Sequence, residues 1–192
     1  WCDENGILLI LDEIQTGVAR LGTLFAYEQY NIEPDIMTLA KGLASGIPIG
    51  AILAKDSAAV FSPGEHGSTY GGNPLACAAG YATVKYIIDN DIAGNAMKVG
   101  KYFMAGLQKL QKKFTFVTGV RGRGLLTAME FNADIAKAVV TACMEQGLLV
   151  NRVKPNAVRF MPPLIIGNKE VDQALAILDK VLVSLPPLKK GD

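Results

Sequence analysis

An uninterrupted apolar run that ends in two carboxylates constrains the fold of this chain more than any other feature. Residues 7–11 read ILLIL, without the alternation of a strand that faces water on one side. Such a run is typical of a strand buried on both faces of a parallel α/β sheet. Asp12 and Glu13 follow it directly. We therefore predict an α/β fold whose first strand ends in charge.

Two further apolar runs, residues 35–40 and 50–54, extend the predicted sheet. The first of them ends at Lys41, which follows Asp12 by 29 residues. A connection of that length suits a crossover between neighbouring parallel strands. Asp12 and Lys41 would then lie at the carboxyl edge of one sheet, where α/β proteins bind ligands.

The remaining pattern predicts these elements. Residues 23–30 form a short helix, and 42–48 and 62–73 are glycine-rich loops. Asn73 caps a helical region that begins at Pro74, breaks near 90–94 and resumes to about 113. Beyond it we predict strands at 114–117, 125–131, 148–153 and 157–161, a turn at 119–124 and a helix at 133–146. Asn168 caps a last helix whose apolar stripe is core packing; the stripe comprises Val171, Leu175, Leu178, Val181, Leu182 and Leu185.

These elements suggest a division into three parts. Residues 1–95 form the end of a large domain with a mostly parallel sheet, 96–113 a connecting helix, and 114–192 a small α+β C-terminal domain. The chain begins at Trp1, without an initiator methionine, and enters its first strand almost at once. We therefore expect it to be the C-terminal part of a longer protein.

Composition argues against several classes of function. The formal net charge is +1, and the pair Lys189 and Lys190 is too short a basic run to indicate nucleic acid binding. No apolar run reaches the roughly 20 residues needed to span a bilayer, and no secretory signal is visible. Three scattered cysteines fit a reducing cytoplasm. A single histidine, without a Cys/His cluster, argues against a metal site.

Three groups together suggest a cofactor. Lys41 could form an imine, and Asp12 could pair with a cationic ring nitrogen. The segment Ser68-Thr69-Tyr70-Gly71-Gly72, ahead of a helix N-terminus, suits a phosphate. Pyridoxal phosphate carries all three partners: an aldehyde, a pyridinium and a phosphate. Each feature alone has a simpler interpretation, as a solvated lysine, a strand-end charge or an ordinary loop.

Three segments carry a resemblance to a known family: LLILDEIQTGVARLG, PDIMTLAKGLASGIPIGA and GEHGSTYGGNPLACAAG. In this order and spacing they resemble the class III, ornithine-type aminotransferases, and are most like the acetylornithine aminotransferase branch. The resemblance implies a pyridoxal phosphate-dependent transferase of fold type I, the aspartate aminotransferase-like fold. It also implies a homodimer with shared active sites.

The same resemblance implies roles for individual residues. Asp12 would pair with the pyridinium nitrogen, and Lys41 would hold the cofactor as a Schiff base and move the substrate proton. Thr69 would bind the phosphate of the cofactor held by the other subunit, with Ser68 near the substrate. Arg159, in the segment AVRFMPPLII, would bind the substrate α-carboxylate. The remaining expected cofactor contacts lie in the stretch after Asp12: Glu13, which is more supportive, Ile14 against the ring face, and Gln15 near the ring hydroxyl.

The activity implied is transfer of the terminal amino group of N-acetylornithine to 2-oxoglutarate, giving N-acetylglutamate semialdehyde and glutamate, in arginine biosynthesis. Alternatives are the same reaction on ornithine, succinyl-diaminopimelate or 4-aminobutyrate, an aminomutase of the same fold, or an inactive fragment that lacks the other half of the site. One departure from relatives is Ser45, which interrupts a glycine run after the lysine. We expect little effect from it unless residue 45 adopts a positive φ.

Overall fold

A computed structural model describes residues 1–185. The basic pair Lys189 and Lys190 and the last residues of the predicted C-terminal domain, 114–192, lie outside the described residues. The chain divides into two compact units, the first covering Trp1–Gly94 and the second beginning at Asn95. Each unit contains its own β-sheet.

The first unit contains a three-stranded sheet in the order β1-β2-β3. A four-residue helix, α1, covers Cys2–Asn5. The strands are β1 (Ile10–Asp12), β2 (Ile36–Leu39) and β3 (Ala51–Ala54). As predicted, β1 and β2 are parallel neighbours, whereas β3 runs antiparallel to β2. The sheet is therefore mixed within the described residues.

The first strand differs from its prediction in length and burial. β1 begins at Ile10 instead of residue 7, and Ile7, Leu8 and Ile10 are exposed instead of buried on both faces. β1 is the outer strand of the sheet, with β2 on one side only. Fewer neighbours therefore cover its side chains than a central strand would have.

Short 3₁₀ helices fill the connections of this unit. They cover Ala26–Tyr30, Lys41–Ala44 and Asp56–Ala58. The first replaces the predicted helix at 23–30, and the second lies in a segment that we predicted to be a loop. Three-residue turns of this kind need few residues and accept a nearby glycine more readily than a long α-helix does.

Two helices follow the polar loop at 62–73. They are α2 (Pro74–Asp89) and α3 (Ile92–Lys113), and the break between them lies where it was predicted. The Asn73 side chain accepts a hydrogen bond from the Ala76 N–H, and Pro74 occupies the first helical position. The predicted cap is therefore confirmed.

The second unit is built on an antiparallel four-stranded sheet in the order β4-β5-β7-β6. The strands are β4 (Val117–Arg123), β5 (Leu126–Phe131), β6 (Asn151–Lys154) and β7 (Ala157–Phe160). Helices α4 (Ala136–Glu145) and α5 (Asn168–Ser184) complete the unit with α3. Asn168 is the first residue of α5, and Gly167 is its cap. This is one position from the prediction.

The predicted turn at 119–124 is wrong. Residues 119–123 belong to β4 and pair with β5, from Gly119 opposite Glu130 to Arg123 opposite Leu126. The hairpin turn is therefore Gly124-Leu125. Cross-strand pairing accepts the glycines of this segment, two of which, Gly122 and Gly124, have positive φ.

The core of the second unit contains the predicted stripe of the last helix. Val171, Leu178, Val181 and Leu182 are buried, and Leu175 and Leu185 pack against them. They join side chains from α3, α4, the sheet and the β4–β5 turn, among them Phe103, Phe131, Met129, Leu107 and Leu125. This stripe was correctly assigned to packing.

Candidate active site

Asp12 lies at the last position of β1, opposite Thr38 of β2. Its Oδ1 accepts hydrogen bonds from the Ile14 N–H at 2.9 Å and from the Thr38 hydroxyl at 3.3 Å. Its Oδ2 makes no hydrogen bond within residues 1–185, and the side chain is exposed. One oxygen thus fixes the carboxylate, and the other is open to a donor such as a protonated ring nitrogen.

The neighbouring Glu13 is in the opposite environment, with only 3% of its surface exposed. Its Oε2 accepts a hydrogen bond from the Thr16 hydroxyl at 2.6 Å, and its Oε1 accepts one from the Tyr27 N–H at 2.9 Å. Because adjacent side chains of a strand point to opposite faces, the two carboxylates separate. Glu13 links the end of β1 to the 3₁₀ helix Ala26–Tyr30.

Lys41 is the first residue of the 3₁₀ helix Lys41–Ala44, two positions after β2 ends at Leu39. Its φ is +46°, in the left-handed region. That conformation costs a non-glycine residue about 1–2 kcal/mol. Because β1 and β2 are parallel and adjacent, Asp12 and Lys41 follow the carboxyl ends of neighbouring strands, as predicted.

Ser68 and Thr69 lie in the exposed loop ahead of α2. The Ser68 hydroxyl accepts a hydrogen bond from the Gly71 N–H at 3.0 Å. The Thr69 hydroxyl makes none within the described part of the chain. Among those residues, no hydrogen bond or ion pair joins Ser68 or Thr69 to Asp12 or Lys41. The structure therefore brings Asp12 and Lys41 to one edge, whereas no hydrogen bond among the described residues links this loop to either of them.

The other expected contacts lie in two places. Ile14 and Gln15 are half-buried in the turn after Asp12. Arg159 belongs to the second unit, where it lies in β7 opposite Ala128 of β5 and is half-buried.

Sequence reasoning missed two contributors to this edge. Thr38 contacts Asp12 from the neighbouring strand, and the Tyr27 backbone binds Glu13. The register that places Thr38 opposite Asp12 could have been counted back from Lys41, which follows Thr38 by three positions. The Tyr27 contact depends on how a 14-residue connection folds back, and no local signal indicates it.

The residues present fit pyridoxal phosphate. The set comprises a carboxylate with one open oxygen, a primary amine at the same sheet edge, and hydroxyls ahead of a capped helix N-terminus. Within residues 1–185, no group of three or more potential metal ligands occurs. None of the helices in that range is both long and apolar enough to cross a bilayer.

Comparison with known proteins gives a consistent result. Residues 1–182 match the family described as aminotransferase class-III. The chain is 54% identical over 181 residues to the acetylornithine aminotransferase of Caldanaerobacter subterraneus subsp. tengcongensis. The aligned region covers 94% of this chain and 46% of that protein. The chain thus spans about half the length of this curated relative.

Two solved structures are similar to the chain. The acetylornithine aminotransferase from Elizabethkingia anophelis has a TM-score of 0.91 and 37% identity, covering 96% of this chain and 47% of its own. An ornithine aminotransferase from Plasmodium yoelii has a TM-score of 0.90 and 37% identity, and the match covers 95% of this chain and 49% of that one. The predicted α/β fold is confirmed, and it is consistent with fold type I.

Proposed function

Because the chain belongs to the class-III aminotransferases, whose members generally depend on pyridoxal phosphate, we propose that it is part of an acetylornithine aminotransferase. The reaction moves the terminal amino group of N-acetylornithine to 2-oxoglutarate, giving N-acetylglutamate semialdehyde and glutamate. The observation that carries the proposal is the placement of Asp12 and Lys41 after the carboxyl ends of two adjacent parallel strands. The 54% identity to a protein of that name supports the choice of amine donor.

Asp12 would hold the cofactor through its ring nitrogen. When bound, pyridoxal phosphate supplies an aldehyde and a ring that withdraws electrons from the reacting carbon. The Ile14 N–H and the Thr38 hydroxyl hold Asp12 Oδ1, which leaves Oδ2 directed to a single donor. A carboxylate held in this way favours the charged form of the ring nitrogen. Ile14 would contact the ring face and Gln15 its hydroxyl group, while Glu13 supports the turn between them.

Lys41 would bind the cofactor aldehyde and move the proton. Its Nζ would take a proton from the substrate carbon that bears the amino group and then donate it to the cofactor carbon. That task requires the amine to reach one carbon and then another, and a flexible four-carbon side chain permits this. The backbone of the turn Lys41–Ala44 fixes where the side chain begins.

The substrate and phosphate groups would be bound by three further residues. Arg159 offers a planar guanidinium that matches a carboxylate with two hydrogen bonds. Thr69, whose hydroxyl is open, would bind phosphate ahead of α2, with Ser68 near the substrate. In the proposed homodimer, Ser68 and Thr69 would serve the site of the other subunit.

The surface of α2 supports association of two copies. Leu75, Tyr81, Tyr86 and Ile88 are exposed on this helix, whereas Ala76, Gly80 and Ile87 are buried. A helix that is apolar on all sides is normally buried. A second copy of the chain would cover the exposed side and place the loop at 62–73 next to the interface.

Turnover with different amine donors tests the proposed function. Glutamate formation from 2-oxoglutarate should be fastest with N-acetylornithine, slower with ornithine, succinyl-diaminopimelate or 4-aminobutyrate, and absent in Lys41→Ala. Ornithine is the second candidate, because the Plasmodium yoelii enzyme shares the fold at a TM-score of 0.90. Faster turnover of ornithine would replace the proposed donor, and equal rates for wild type and Lys41→Ala would rule out the proposed chemistry.

A further inference from the structure

Six non-glycine residues of the first unit hold a positive φ: Val18 at +55°, Ala19 at +68° and Lys41 at +46°, together with Asn31, Ser45 and Asp91. Val18 lies beside Gly42, the residue that follows Lys41. For a β-branched residue such as Val18, this conformation is a genuine outlier. Strain of this kind persists only where the surrounding structure determines it. The surroundings of Val18 show which parts of the structure hold this backbone conformation.

The Val18 side chain lies beside the residue that follows Lys41. It is buried, with 5% of its surface exposed. Its Cβ and Cγ1 lie 3.9 Å from the position that a Cβ on Gly42 would take. A side chain at position 42 would therefore touch Val18, and the Val18 side chain borders the space beside Gly42.

The residue before Val18 packs on the other side of Lys41 along the chain. A methyl group on Gly17 would lie 3.1 Å from Leu39 Cδ2, so the Gly17 backbone lies directly against the Leu39 side chain. Leu39 precedes Lys41 by two positions, and Gly42 follows it by one. The 17–19 turn thus lies beside the chain on both sides of Lys41.

Backbone hydrogen bonds hold the 17–19 turn in place. The Gly17 N–H donates to the Glu13 carbonyl at 2.9 Å, and the Ala19 N–H donates to the Leu24 carbonyl at 3.1 Å. Because the Glu13 carboxylate is itself bound by Thr16 and Tyr27, the turn starts from a fixed point. A fixed turn can impose a conformation on the segment that it touches.

A second segment contacts the Lys41–Ala44 helix from α2. A Cβ on Gly80 would lie 3.8 Å from the Leu43 carbonyl oxygen and 4.0 Å from Ala44 Cβ. The short helix therefore has the 17–19 turn beside Gly42 and α2 beside its last two residues.

We propose that Val18 is a positioning residue for Lys41: its buried side chain, which borders Gly42, keeps the Lys41 backbone left-handed and so sets the direction in which the lysine side chain leaves the sheet edge. The φ angle fixes the direction of the Cα–Cβ bond relative to the strand before it. Relaxation of Lys41 to a negative φ would turn its amine away from its present direction. The importance of that direction for amino transfer rests on the proposed function.

Two glycine substitutions separate positioning from general stability. Val18→Gly removes the side chain that contacts Gly42, while glycine accepts a φ of +55° without strain. Ala19→Gly is the matched control, because it relieves the same kind of strain at the next residue and leaves the Val18 side chain in place. Val18→Ala, which keeps Cβ and removes Cγ1, is the second test variant.

Hydrogen–deuterium exchange on the cofactor-free 192-residue chain measures the effect without any activity. We expect the amides of residues 42–44 to exchange about tenfold faster in Val18→Gly and within about twofold of wild type in Ala19→Gly. Val18→Ala should give an intermediate rate, and it decides the test if Val18→Gly fails to fold. Equal exchange in Val18→Gly, or Val18→Ala, and in Ala19→Gly would overturn the proposal.

Capture of pyridoxal phosphate, trapped by borohydride and located by peptide mass spectrometry, then tests the consequence. Capture at Lys41 should slow about tenfold in Val18→Gly and stay within about twofold in Ala19→Gly. The capture test uses the full-length protein that contains this chain. If its wild type captures no cofactor at Lys41, the proposed function fails, while the exchange result still decides the role of Val18. If wild type captures it and Val18→Gly does so equally fast, the positioning role is overturned.

Discussion

At the scale of single residues, the two adjacent carboxylates show how a strand end separates a reactive group from a structural one. Asp12 is exposed and keeps one oxygen open, whereas both oxygens of Glu13 are bound within a buried site. The sequence, through its resemblance to class III aminotransferases, implied that they are not equivalent, with Glu13 in the more supportive role. It could not predict the partners of Glu13, since one of them, the Tyr27 N–H, comes from a connection that folds back.

Glu13→Ala should lower the free energy of unfolding by about 2 kcal/mol, because it leaves the partly buried Thr16 hydroxyl and Tyr27 N–H without their acceptor. Urea denaturation measures the change. Glu33→Ala, which removes an exposed carboxylate, is the control and should stay within about 0.5 kcal/mol of wild type. A loss of stability in Glu13→Ala no larger than that in the control would contradict the proposal that Glu13 supports the turn.

Ser45 does hold a positive φ, of +49°, which is the condition under which its departure from relatives matters. Ser45→Gly should therefore raise the free energy of unfolding by about 1 kcal/mol, because glycine removes the left-handed penalty. Ser57→Gly, in the 3₁₀ helix Asp56–Ala58, has no such penalty to relieve and should be destabilising. Thermal unfolding of the two variants gives the comparison, and a lower melting temperature for Ser45→Gly would contradict the expectation.

Cys143 offers a prediction on pH. Burial raises the pKa of its thiol above the ordinary value for cysteine, to about 11. The folded state thus favours the protonated thiol, so the contribution of this group is constant below about pH 9 and stability is lost as the pH rises towards about 11. At about pH 9, a thiol reagent should modify the exposed Cys77 rapidly and Cys143 only on unfolding. Mass spectrometry of the labelled peptides checks this, and equal labelling rates would contradict it.

At the scale of elements, the hairpin β4–β5 shows where glycine content misleads. Three glycines between residues 119 and 124 would ordinarily indicate a loop, but Gly119 and Gly122 lie in paired strand and Gly124 lies directly beside it. Gly122, at φ +145°, lies so close to the Leu126 carbonyl that no side chain fits. The glycines here permit close approach of two backbones instead of a wide turn. Spacing alone cannot distinguish these two uses.

Gly122→Ala should therefore destabilise the second unit by more than about 2 kcal/mol, through both the strained φ and the collision with Leu126. Gly119→Ala in the same strand is the matched control, since its nearest neighbour would be Glu130 Oε2 at 3.4 Å, in ordinary contact. Chemical denaturation followed by circular dichroism compares the two. Equal stability of the two variants would show that Gly122 is not required for the close approach.

At the scale of the whole molecule, the two units differ in how completely they bury their apolar residues. The second unit has a closed core that includes Phe131, Leu107 and Met129, and its elements were largely predicted from periodicity. In the first unit, Ile10 and Ile52 are 58% and 71% exposed in the strands. The predicted burial of the first strand was wrong because residues 7–11 were interpreted as a central strand. The order and edge of the strands were predictable nonetheless, since Lys41 follows Asp12 at crossover spacing.

The central claim is that Lys41, at the sheet edge beside Asp12, is the group that binds pyridoxal phosphate. Incubation with pyridoxal phosphate, reduction with borohydride and peptide mass spectrometry test it most directly. The account predicts an absorbance band at about 420 nm that reduction abolishes. The label should be on Lys41, and the band should be lost in Lys41→Ala. Label spread equally over the other lysines, or retained in Lys41→Ala, would contradict it.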